Sequence, residues 1–403
     1  MKRKTGSTPF VKRVRIKNYR SIADCDVRLG PLTVLLGFNA SGKSNFLDAL
    51  RFVQDSLKTS PREAVSARGG FDSVLRRSDE PVRSFEIWLD MELPSHDGDL
   101  REAFYGFEIS TDAKKRVEVV REKCTAGINH NFEVAFGRII GSDLVDGLAP
   151  GERLTLPRIS LMTREKLEGF SRLEAALTAM RFYELDSATI RSLDEEITRQ
   201  DYLGPAGEHV GHVLGNLAEH DPDGKERLDA YLSAIVPNAL GVDERPEGRY
   251  STIEARFRSE DASDQVTVFP RESMSEGTLR AAGVLAALFQ EPASTGRISL
   301  VGIEEPETAL HPAMVGAMYE ALTEAAERVQ VVVTSQSSDL LDNAEADLSH
   351  IRAVASVGGV TYVGEVDKAG QRLVADRLMT IAELHRSGQM LPTQVGYPAD
   401  ERP

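Results

Sequence analysis

The sequence has few cysteines, no long apolar run and too few basic residues to balance its acidic ones. Cys25 and Cys124 are the only cysteines among 403 residues. They form no CxxC pair, which excludes a zinc site built from cysteines and is typical of proteins in a reducing cytoplasm. The longest apolar run, from Ala281 to Phe289 with one glycine inside it, is far shorter than the roughly 18 residues of a membrane span. We therefore expect a cytoplasmic protein without a transmembrane helix, and the basic N-terminus lacks the apolar segment of a secretory signal.

The net charge of −15 argues against a surface coated with Lys and Arg, because sequence-independent binding of DNA depends on cations that neutralise phosphates. A local basic patch could still bind nucleic acid. One candidate lies near the N-terminus, where a solvated and frayed terminus is the interpretation that we favour. This basic cluster comprises Lys2, Arg3, Lys4, Lys12, Arg13, Arg15 and Lys17.

The hydrophobic pattern predicts an α/β protein of one large domain or two coupled ones. Residues 11–37 are typical of a half-exposed strand followed, after Pro31, by a fully buried strand. The segment "SNFLDALRFVQDSLK" has apolar residues at helical spacing, so we expect a helix directly after the buried strand. From Phe85 to Ile140 several stretches alternate apolar and polar residues, which predicts an antiparallel set of strands beside this first unit.

Residues 151–245 change character and predict a helical insertion, with "RLDAYLSAIV" as one of its helices. No heptad repeat persists over several turns, which excludes a long coiled-coil arm. From about residue 250 strands return, and the following order of helix, strand, helix and strand predicts a parallel sheet covered by helices. The apolar face of the first helix in the insertion comprises Leu167, Phe170, Leu173, Leu177 and Met180.

The strongest motif is "GFNASGKS", Gly37 to Ser44, which matches G-x-x-x-x-G-K-[ST] at the strand-to-helix turn that this pattern requires. Gly37 and Gly42 allow the backbone to curl so that successive N–H groups face phosphate oxygens. We expect Lys43 to reach the β- and γ-phosphates and the Ser44 hydroxyl to ligate Mg²⁺. The alternative, a structural glycine turn, is disfavoured by the context. The predicted nucleotide-binding residues of this loop are Gly37, Asn39, Ala40, Ser41, Gly42, Lys43, Ser44 and Asn45.

A second motif, "ISLVGIEEPETALHP", ends a buried strand with two adjacent acids, Glu304 and Glu305. These would lie at the carboxyl edge of the parallel sheet, where α/β folds bind ligands. Neighbouring side chains on a strand point to opposite faces, so the two acids should differ in role unless the strand has ended. We predict that Glu304 lies on the Mg²⁺ side and that Glu305 orients or deprotonates the attacking water. The alternative is that Glu305 and Glu307 cap the helix opened by Pro312, which the neighbouring P-loop motif disfavours.

Two further segments complete the pattern. In "MSEGTLR", Ser275 and Gly277 open a strongly apolar helix, so a hydroxyl and free N–H groups point outward from its positive end. Alone, this segment would be an ordinary helix N-cap. In "VQVVVTSQSSDLL" a buried strand turns polar, and we expect Gln336 at its end to face the γ-phosphate beside Glu305.

The order of these motifs resembles the ATPase heads of the ABC class, in particular the SMC, RecF and OLD-type family and, most closely, its RecF/OLD-like bacterial members. "IKNYRSI", which contains Arg20, looks like the N-terminal strand motif of that family. "MSEGTLR" looks like its signature motif, and "IEEPETALHP" looks like its Walker B motif and D-loop. The resemblance implies an ABC-type P-loop head with a mixed or parallel central sheet, an antiparallel β subdomain and a helical insertion. It also implies that ATP and Mg²⁺ bind, with Arg20 among the ATP contacts.

In this family two heads sandwich two ATP molecules. The resemblance therefore implies a homodimer or higher oligomer in which Ser275 and Gly277 of one subunit contact the γ-phosphate held by Lys43 of the other. The implied organisation is an N-terminal ATPase lobe with the P-loop and antiparallel β subdomain (1–150), a helical insertion (151–245), a C-terminal ATPase lobe with the signature motif, Walker B motif, D-loop and switch strand (246–390), and a disordered tail (391–403).

The sequence departs from the family pattern in three places, and these departures affect the functional roles that the resemblance implies. Glu304 stands where an aspartate is commoner, which lengthens the reach by one methylene and favours a water-bridged contact with the ion. Gln336 stands at the position of the family's switch histidine. Unlike a histidine, a glutamine takes up no proton near neutral pH. We therefore predict that Gln336 senses and positions while Glu305 is the base. The Q-loop glutamine has no secure place in the sequence.

These features predict an ATP-hydrolysing, nucleotide-switched dimer in DNA repair or antiphage defence, working with a separately encoded effector such as a nuclease. About sixty residues follow Gln336, fewer than the roughly 100 to 150 of a typical domain, so we expect no nuclease activity in this chain. Three alternatives stay open: an ABC transporter ATPase subunit, a P-loop GTPase or small-molecule kinase, and a nucleotide-dependent scaffold with negligible turnover.

A weaker pattern, "EHVGHV", places His209 and His212 one helical turn apart, where two imidazoles could form a metal-binding pair. No third ligand is evident, so an ordinary surface is the interpretation that we favour. "DPDGKE" at Asp221 lacks the remaining ligands of a calcium loop and predicts a turn.

Overall fold

The structure is a computed structural model that describes residues 10–78, 81–94, 99–127, 130–135, 137–140, 147–149, 151–162, 168–195, 201–259, 265–342 and 346–393. The strands are β1 Phe10–Tyr19, β2 Ile22–Arg28, β3 Leu32–Leu36, β4 Ser84–Pro94, β5 Leu100–Thr111, β6 Val117–Ala126, β7 Asn131–Ala135, β8 Arg138–Ile140, β9 Arg181–Tyr183, β10 Asp194–Glu195, β11 Ala239–Glu247, β12 Tyr250–Arg258, β13 Val266–Pro270, β14 Leu300–Glu304, β15 Gln330–Ser335, β16 Ile351–Val357 and β17 Val360–Gly364. The helices are α1 Lys43–Lys58, α2 Pro61–Ala67, α3 Phe71–Val74, α4 Leu156–Ser160, α5 Glu168–Thr178, α6 Ser187–Ile190, α7 Val210–His220, α8 Pro222–Ile235, α9 Glu276–Phe289, α10 Glu291–Ser294, α11 Val315–Ala325, α12 Lys368–Ala375 and α13 Ile381–Arg386.

The main sheet contains thirteen of the described strands in the order β8-β7-β6-β5-β4-β1-β2-β17-β16-β3-β15-β14-β9. A second, small antiparallel sheet contains β10, β11, β12 and β13. The mixed α/β class predicted from the sequence, with a mixed central sheet and antiparallel strands, is confirmed.

The parallel part of the main sheet sets the position of the candidate site. β3 pairs with β15, β15 with β14 and β14 with β9, all in parallel. Leu36 lies opposite Ser335, and Glu304 lies opposite Thr334, so the carboxyl ends of the three central strands meet at one edge. β3 and β15 are buried along their whole length, as expected for strands covered on both faces.

The antiparallel part, which consists of β1, β2 and β4 to β8, contains the strands predicted between Phe85 and Ile140 together with the N-terminal strands. These strands continue the main sheet rather than stand beside it. A bulge between Val11 and Arg13 shifts the register of β1 against β4, which explains why the apolar residues of β1 do not alternate strictly. The antiparallel and parallel parts meet where β2 pairs with β17 through the single pair Ile22 and Thr361.

Helices cover both faces of the sheet, because alternate residues of the buried strands belong to two separate cores. Val331 and Val333 of β15 belong to the core that also contains residues of α7, α8, α9 and α11. Val332 packs on the opposite face with α1 and α5. The helices predicted after β3, before β14 and between β14 and β15 are all present as α1, α9 and α11.

The segment 151–245 is less purely helical than the sequence predicts. It contains α4 to α8, but β9 pairs with β14 in the main sheet, and β10 and β11 pair with β12. The sequence does not predict β9 and β10, because strands of three and two residues are too short to show periodicity. In α5, Phe170, Leu173 and Leu177 are buried as predicted. Met180 is buried beyond the helix, and Leu167 lies outside the described residues.

The first residues of the predicted disordered tail are ordered, which corrects that prediction. Thr393 donates from its backbone N–H to Glu365, and Asp367 donates to Leu391. Pro392 forms an isolated β-bridge with Val366. Residues 394–403 lie outside the described residues. Among the described residues, every helix is too short or too polar to cross a membrane.

Candidate nucleotide-binding site

The P-loop occupies the turn between β3 and α1, and its two motif glycines are required by close contacts. Gly42 caps α1 with a φ of 101°, in the left-handed region that favours glycine. A Cβ on Gly42 would lie 2.0 Å from the Thr361 hydroxyl oxygen, and one on Gly37 would lie 2.2 Å from the Val354 carbonyl oxygen. The Thr361 hydroxyl donates to the Ser41 carbonyl at 2.9 Å. The Val354 backbone of β16 and the Thr361 side chain of β17 therefore lie against the loop and restrict its curvature.

Lys43 lies inside the P-loop. Its Nζ donates to the carbonyl oxygens of Gly37 at 2.8 Å and Phe38 at 3.0 Å. Only 6% of the residue is exposed. Burial lowers the pKa of the Lys43 ammonium, while the nearby carboxylates of Glu305, Glu307 and Glu304 act to raise it. The ammonium is thus held between the loop carbonyls and the acids that follow β14.

The side-chain oxygens of Ser44 and Glu304 are in direct contact, and both could bind a metal ion. The Ser44 hydroxyl donates to Glu304 Oε2 at 2.5 Å. Burial raises the pKa of Glu304, and the hydrogen bond from Ser44 opposes this rise. A hard cation such as Mg²⁺ prefers oxygen ligands, and a divalent charge here would offset the cost of the half-buried carboxylate. These two residues therefore fit Mg²⁺, and the longer glutamate side chain reaches Ser44 without a bridging group.

Glu305 directly follows the end of β14. Its backbone conformation differs from that of a strand residue, so Glu305 and Glu304 are not related by strand alternation. Its φ is 45°, which is uncommon for a residue other than glycine. The strand has ended, so the alternation of side chains no longer applies, and the Glu305 N–H donates to the Thr334 carbonyl at 3.0 Å. Gln336 Nε2 donates to Glu305 Oε2 at 3.0 Å. The structure thus brings together the two residues predicted to act on the water and the γ-phosphate.

We expect any ATP turnover to depend on the contact between Gln336 and Glu305. We expect Gln336→Ala to lower the ATP turnover rate roughly tenfold or more, because a hydrogen bond to a charged group contributes about 1.5–3 kcal/mol. Gln336→His should largely preserve turnover, since an imidazole N–H can donate to the same carboxylate oxygen. The measurement is steady-state phosphate release for both variants beside the wild-type chain. Full activity of the alanine variant would show that Gln336 is an ordinary residue at a strand end.

The signature segment lies on the surface of the chain. Ser275 is exposed, caps α9, and its hydroxyl oxygen accepts from the Thr278 N–H at 3.1 Å. A Cβ on Gly277 would lie 2.5 Å from the Ala309 carbonyl oxygen, so the segment packs against the D-loop. Within the described residues neither Ser275 nor Gly277 makes a hydrogen bond to the P-loop. Ser275 is therefore an exposed residue whose hydroxyl also lies 2.8 Å from the Thr278 hydroxyl of α9.

Arg20 and Asn45 lie beside the P-loop and contact each other. Arg20 Nη1 is 3.5 Å from Asn45 Oδ1, and Asn45 Nδ2 donates to the Ser21 hydroxyl at 2.6 Å. Arg20 also pairs with Asp48 of α1 at 2.9 Å. Of the other predicted loop residues, Asn39 and Ala40 are exposed, and Ala40 has a φ of 60°. The ATP contacts predicted for Arg20 and Asn45 stay predictions.

Two buried residues near the site, Glu307 and His385, are not among the site residues predicted from the sequence. Glu307 accepts from the Ser335 hydroxyl at 2.5 Å, and burial raises its pKa. His385 of α13 stacks on Phe38 of the P-loop, with ring centroids 5.0 Å apart. Burial lowers the pKa of His385, and the charge of Lys43 adds to this effect. Phe38 and His385 lie near opposite ends of the sequence, so only the folded structure reveals the contact between their rings.

The basic cluster is largely neutralised where the structure describes it. Lys12 pairs with Glu92 at 2.9 Å, and Arg15 pairs with Asp90 at 3.0 Å. Arg13 forms an ion pair with Asp26. Lys17 is exposed, and residues 2–4 lie outside the described residues. Three of the cations proposed to contact phosphates are thus already engaged with carboxylates.

The fold and the motif residues at one sheet edge define an ABC-class P-loop ATPase head. Residues 10–132 match a family described as "AAA ATPase domain", and residues 142–342 match one described as "AAA domain, putative AbiEii toxin, Type IV TA system". The resemblance predicted from the order of the motifs is confirmed: the chain is similar to ATPases of the SMC and OLD-like type.

Individual relatives agree with this class. An OLD nuclease of Thermus scotoductus is 23% identical to this chain over an aligned length of 405 residues. The alignment covers 91% of this chain and 67% of that protein. A crystal structure of an SMC head bound to the C-winged helix domain of ScpA has a TM-score of 0.57 at 16% identity, with 88% of this chain and 97% of that chain covered. An SMC head with an extended coiled coil, bound to the C-terminal domain of ScpA derived from Pyrococcus furiosus, has a TM-score of 0.52 at 12% identity, with coverage of 92% and 99%.

Proposed function

We propose that the chain binds ATP with Mg²⁺, hydrolyses ATP and works as a nucleotide-switched homodimer. One observation carries the proposal: a buried lysine, a hydroxyl–carboxylate pair and an amide–carboxylate pair converge where β3, β14 and β15 end. These groups are the parts that P-loop phosphoryl transfer uses for phosphate binding, metal binding and water positioning. They belong to Lys43, Ser44, Glu304, Glu305 and Gln336.

Binding would begin at the P-loop. The backbone N–H groups of the loop and the N-terminus of α1 favour the charge of the phosphates. The Lys43 ammonium would exchange its bonds to the Gly37 and Phe38 carbonyls for bonds to the β- and γ-phosphates. Ser44 and Glu304 would hold the metal, and bound Mg²⁺ supplies charge neutralisation for the phosphate oxygens.

Hydrolysis would depend on Glu305. Its carboxylate lies beyond the end of β14, and Gln336 fixes one of its oxygens, Oε2. The other oxygen can accept a proton or a hydrogen bond from the attacking water. Gln336 donates without taking up a proton, so it orients the base and leaves the proton transfer to Glu305. This arrangement favours catalysis over the alternative of a scaffold with negligible turnover.

Dimerisation would complete the site. Ser275 is exposed at the positive end of α9, where a γ-phosphate held by a second subunit could accept its hydroxyl hydrogen bond. The partner is therefore a second copy of this chain, and ATP lies between the two copies. A role in DNA repair or antiphage defence with a separately encoded effector is supported by the similarity to the OLD nuclease and by the motif resemblance alone.

The experiment compares two serines that cap helices in the same way. Ser60 caps α2 and accepts from the Glu63 N–H, as Ser275 does from Thr278. Ser275→Ala and Ser60→Ala should each cost about 1 kcal/mol of stability. Only Ser275→Ala should lower ATP turnover, by roughly 10- to 100-fold, and weaken the dimer measured as mass in solution with Mg-ATP. Equal behaviour of the two variants, or a mass unaffected by Mg-ATP in the wild-type chain, would contradict the sandwich.

A further inference from the structure

Asp194, His209 and His212 form a cluster on elements that carry none of the P-loop or Walker B residues. Asp194 lies on β10, His209 precedes α7, and His212 lies in the first turn of α7. One ligand atom of each residue lies within 4.8 Å of those of the other two. The interpretation of the two histidines as an ordinary surface pair is wrong, because His212 is only 1% exposed. Asp194 is a third residue that could bind a metal ion together with them.

The distances suit a small divalent ion. In a tetrahedral site with metal–nitrogen and metal–oxygen bonds of about 2.0–2.1 Å, neighbouring ligand atoms lie roughly 3.3 Å apart. His209 Nδ1 is 3.2 Å from Asp194 Oδ1. The imidazole planes of His209 and His212 differ by only 6°, with centroids 6.2 Å apart. The ligand atom of His212 lies within 4.8 Å of those of Asp194 and His209, so the side chains would move closer together around a bound ion.

The backbone at His209 contributes to this arrangement. Its φ is 66°, so the residue is in the left-handed conformation that residues other than glycine adopt infrequently. That conformation places His209 at the start of α7, where its ring stacks beside the ring of His212. Asp194 approaches from a separate strand, and its side chain is 10% exposed. The three ligands thus come from segments that the fold, rather than the local sequence, brings together.

We propose that Asp194, His209 and His212 bind one divalent transition-metal ion, with Zn²⁺ as the expected ion. Two imidazoles and one carboxylate are a common zinc ligand set, and imidazole nitrogen disfavours Mg²⁺ and Ca²⁺, which prefer oxygen alone. The single carboxylate charge is appropriate for a site that is partly exposed at His209, whose side chain is 28% exposed. A fourth position is left for water or for a ligand from another molecule.

The bound ion would hold β10 and α7 together near the signature segment. Asp194 pairs with Ser251 of β12 in the small sheet. Just before β10, Arg191 Nη2 donates at 3.0 Å to the carbonyl of Met274, the residue preceding Ser275. A bound ion would therefore stabilise the segment that supports the start of α9. The site itself does not depend on ATP binding or hydrolysis.

The test measures Zn²⁺ alone binding to the chelator-treated full chain by titration calorimetry, with thermal unfolding as a second readout. The wild-type chain should bind one equivalent and unfold at a higher temperature with Zn²⁺. Asp194→Asn and His209→Ala should each weaken binding at least roughly 10-fold and remove the thermal shift. Co²⁺ in place of Zn²⁺ should give the visible absorption of a four-coordinate site in the wild-type chain, but not in Asp194→Asn or His209→Ala.

His220→Ala is the matched control, because His220 ends the same helix, is exposed and lies outside the cluster. It should bind Zn²⁺ as the wild-type chain does. The partly exposed residues Asp194 and His209 are chosen for substitution because replacing the buried His212 could disturb folding. Lack of stoichiometric Zn²⁺ binding in the wild-type chain, or equal affinity of His209→Ala and His220→Ala, would overturn the proposal and leave a plain ion pair of Asp194 and His209.

Discussion

Glu305→Gln is expected to lower ATP turnover at least about 100-fold while ATP binding persists. General-base catalysis contributes roughly 10²–10⁴-fold, and an amide cannot accept the proton of the attacking water. The glutamine can still pair with Gln336, so the local structure should survive the change. Blocked hydrolysis should also trap the ATP-bound state, which we expect as a dimer. Phosphate release and mass in solution with Mg-ATP measure the two effects.

Glu327→Gln is a suitable control for this experiment, since Glu327 is exposed on the turn after α11 and far along the chain from Glu305. Its turnover and mass should equal those of the wild-type chain. If Glu305→Gln hydrolyses ATP at the wild-type rate and shows no change of mass, then Glu305 is not the catalytic acid and a different group must position the water.

Lys43→Ala is expected to abolish turnover and the ATP-dependent dimer by removing a phosphate contact. A hydrogen bond between charged groups contributes about 1.5–3 kcal/mol, so ATP affinity should fall roughly 10- to 100-fold or more. The ammonium is the buried cation between the P-loop carbonyls and the acids after β14, and the described loop offers no second lysine in this position. Titration calorimetry with Mg-ATP measures the affinity.

Lys58→Ala provides the comparison, because Lys58 ends the helix that Lys43 begins. Its ATP affinity should match the wild-type value. Circular dichroism of both variants separates loss of binding from loss of fold. An unchanged ATP affinity in Lys43→Ala, with the fold intact, would show that the lysine keeps its bonds to the Gly37 and Phe38 carbonyls when nucleotide binds.

The sequence predicts those parts of the fold whose signals are local. β3, β14 and β15 are runs of buried apolar and β-branched residues, and the helices after them have apolar residues at helical spacing. The P-loop pattern is contained in eight successive residues, so its strand, turn and helix follow directly from the motif. The positions of Lys43, Ser44 and Glu304 at one sheet edge follow from the parallel order alone.

The parts that the sequence does not predict depend on contacts between distant residues. The stack of Phe38 and His385 joins the two ends of the chain, and no periodicity marks it. Asp194 meets His209 only because β10 pairs with β12 and the chain returns to α7. The positive φ of Glu305 separates two neighbouring acids by backbone geometry, which residue type alone does not indicate.

The junction between the two parts of the main sheet gives the molecule a mechanical asymmetry. β2 and β17 are joined by one residue pair, the shortest pairing between described strands of that sheet, so few backbone hydrogen bonds resist a relative rotation there. Thr361 belongs to that pair, and its hydroxyl also holds the Ser41 carbonyl of the P-loop. A displacement of the P-loop would therefore act directly on this single-pair junction between the two parts of the sheet.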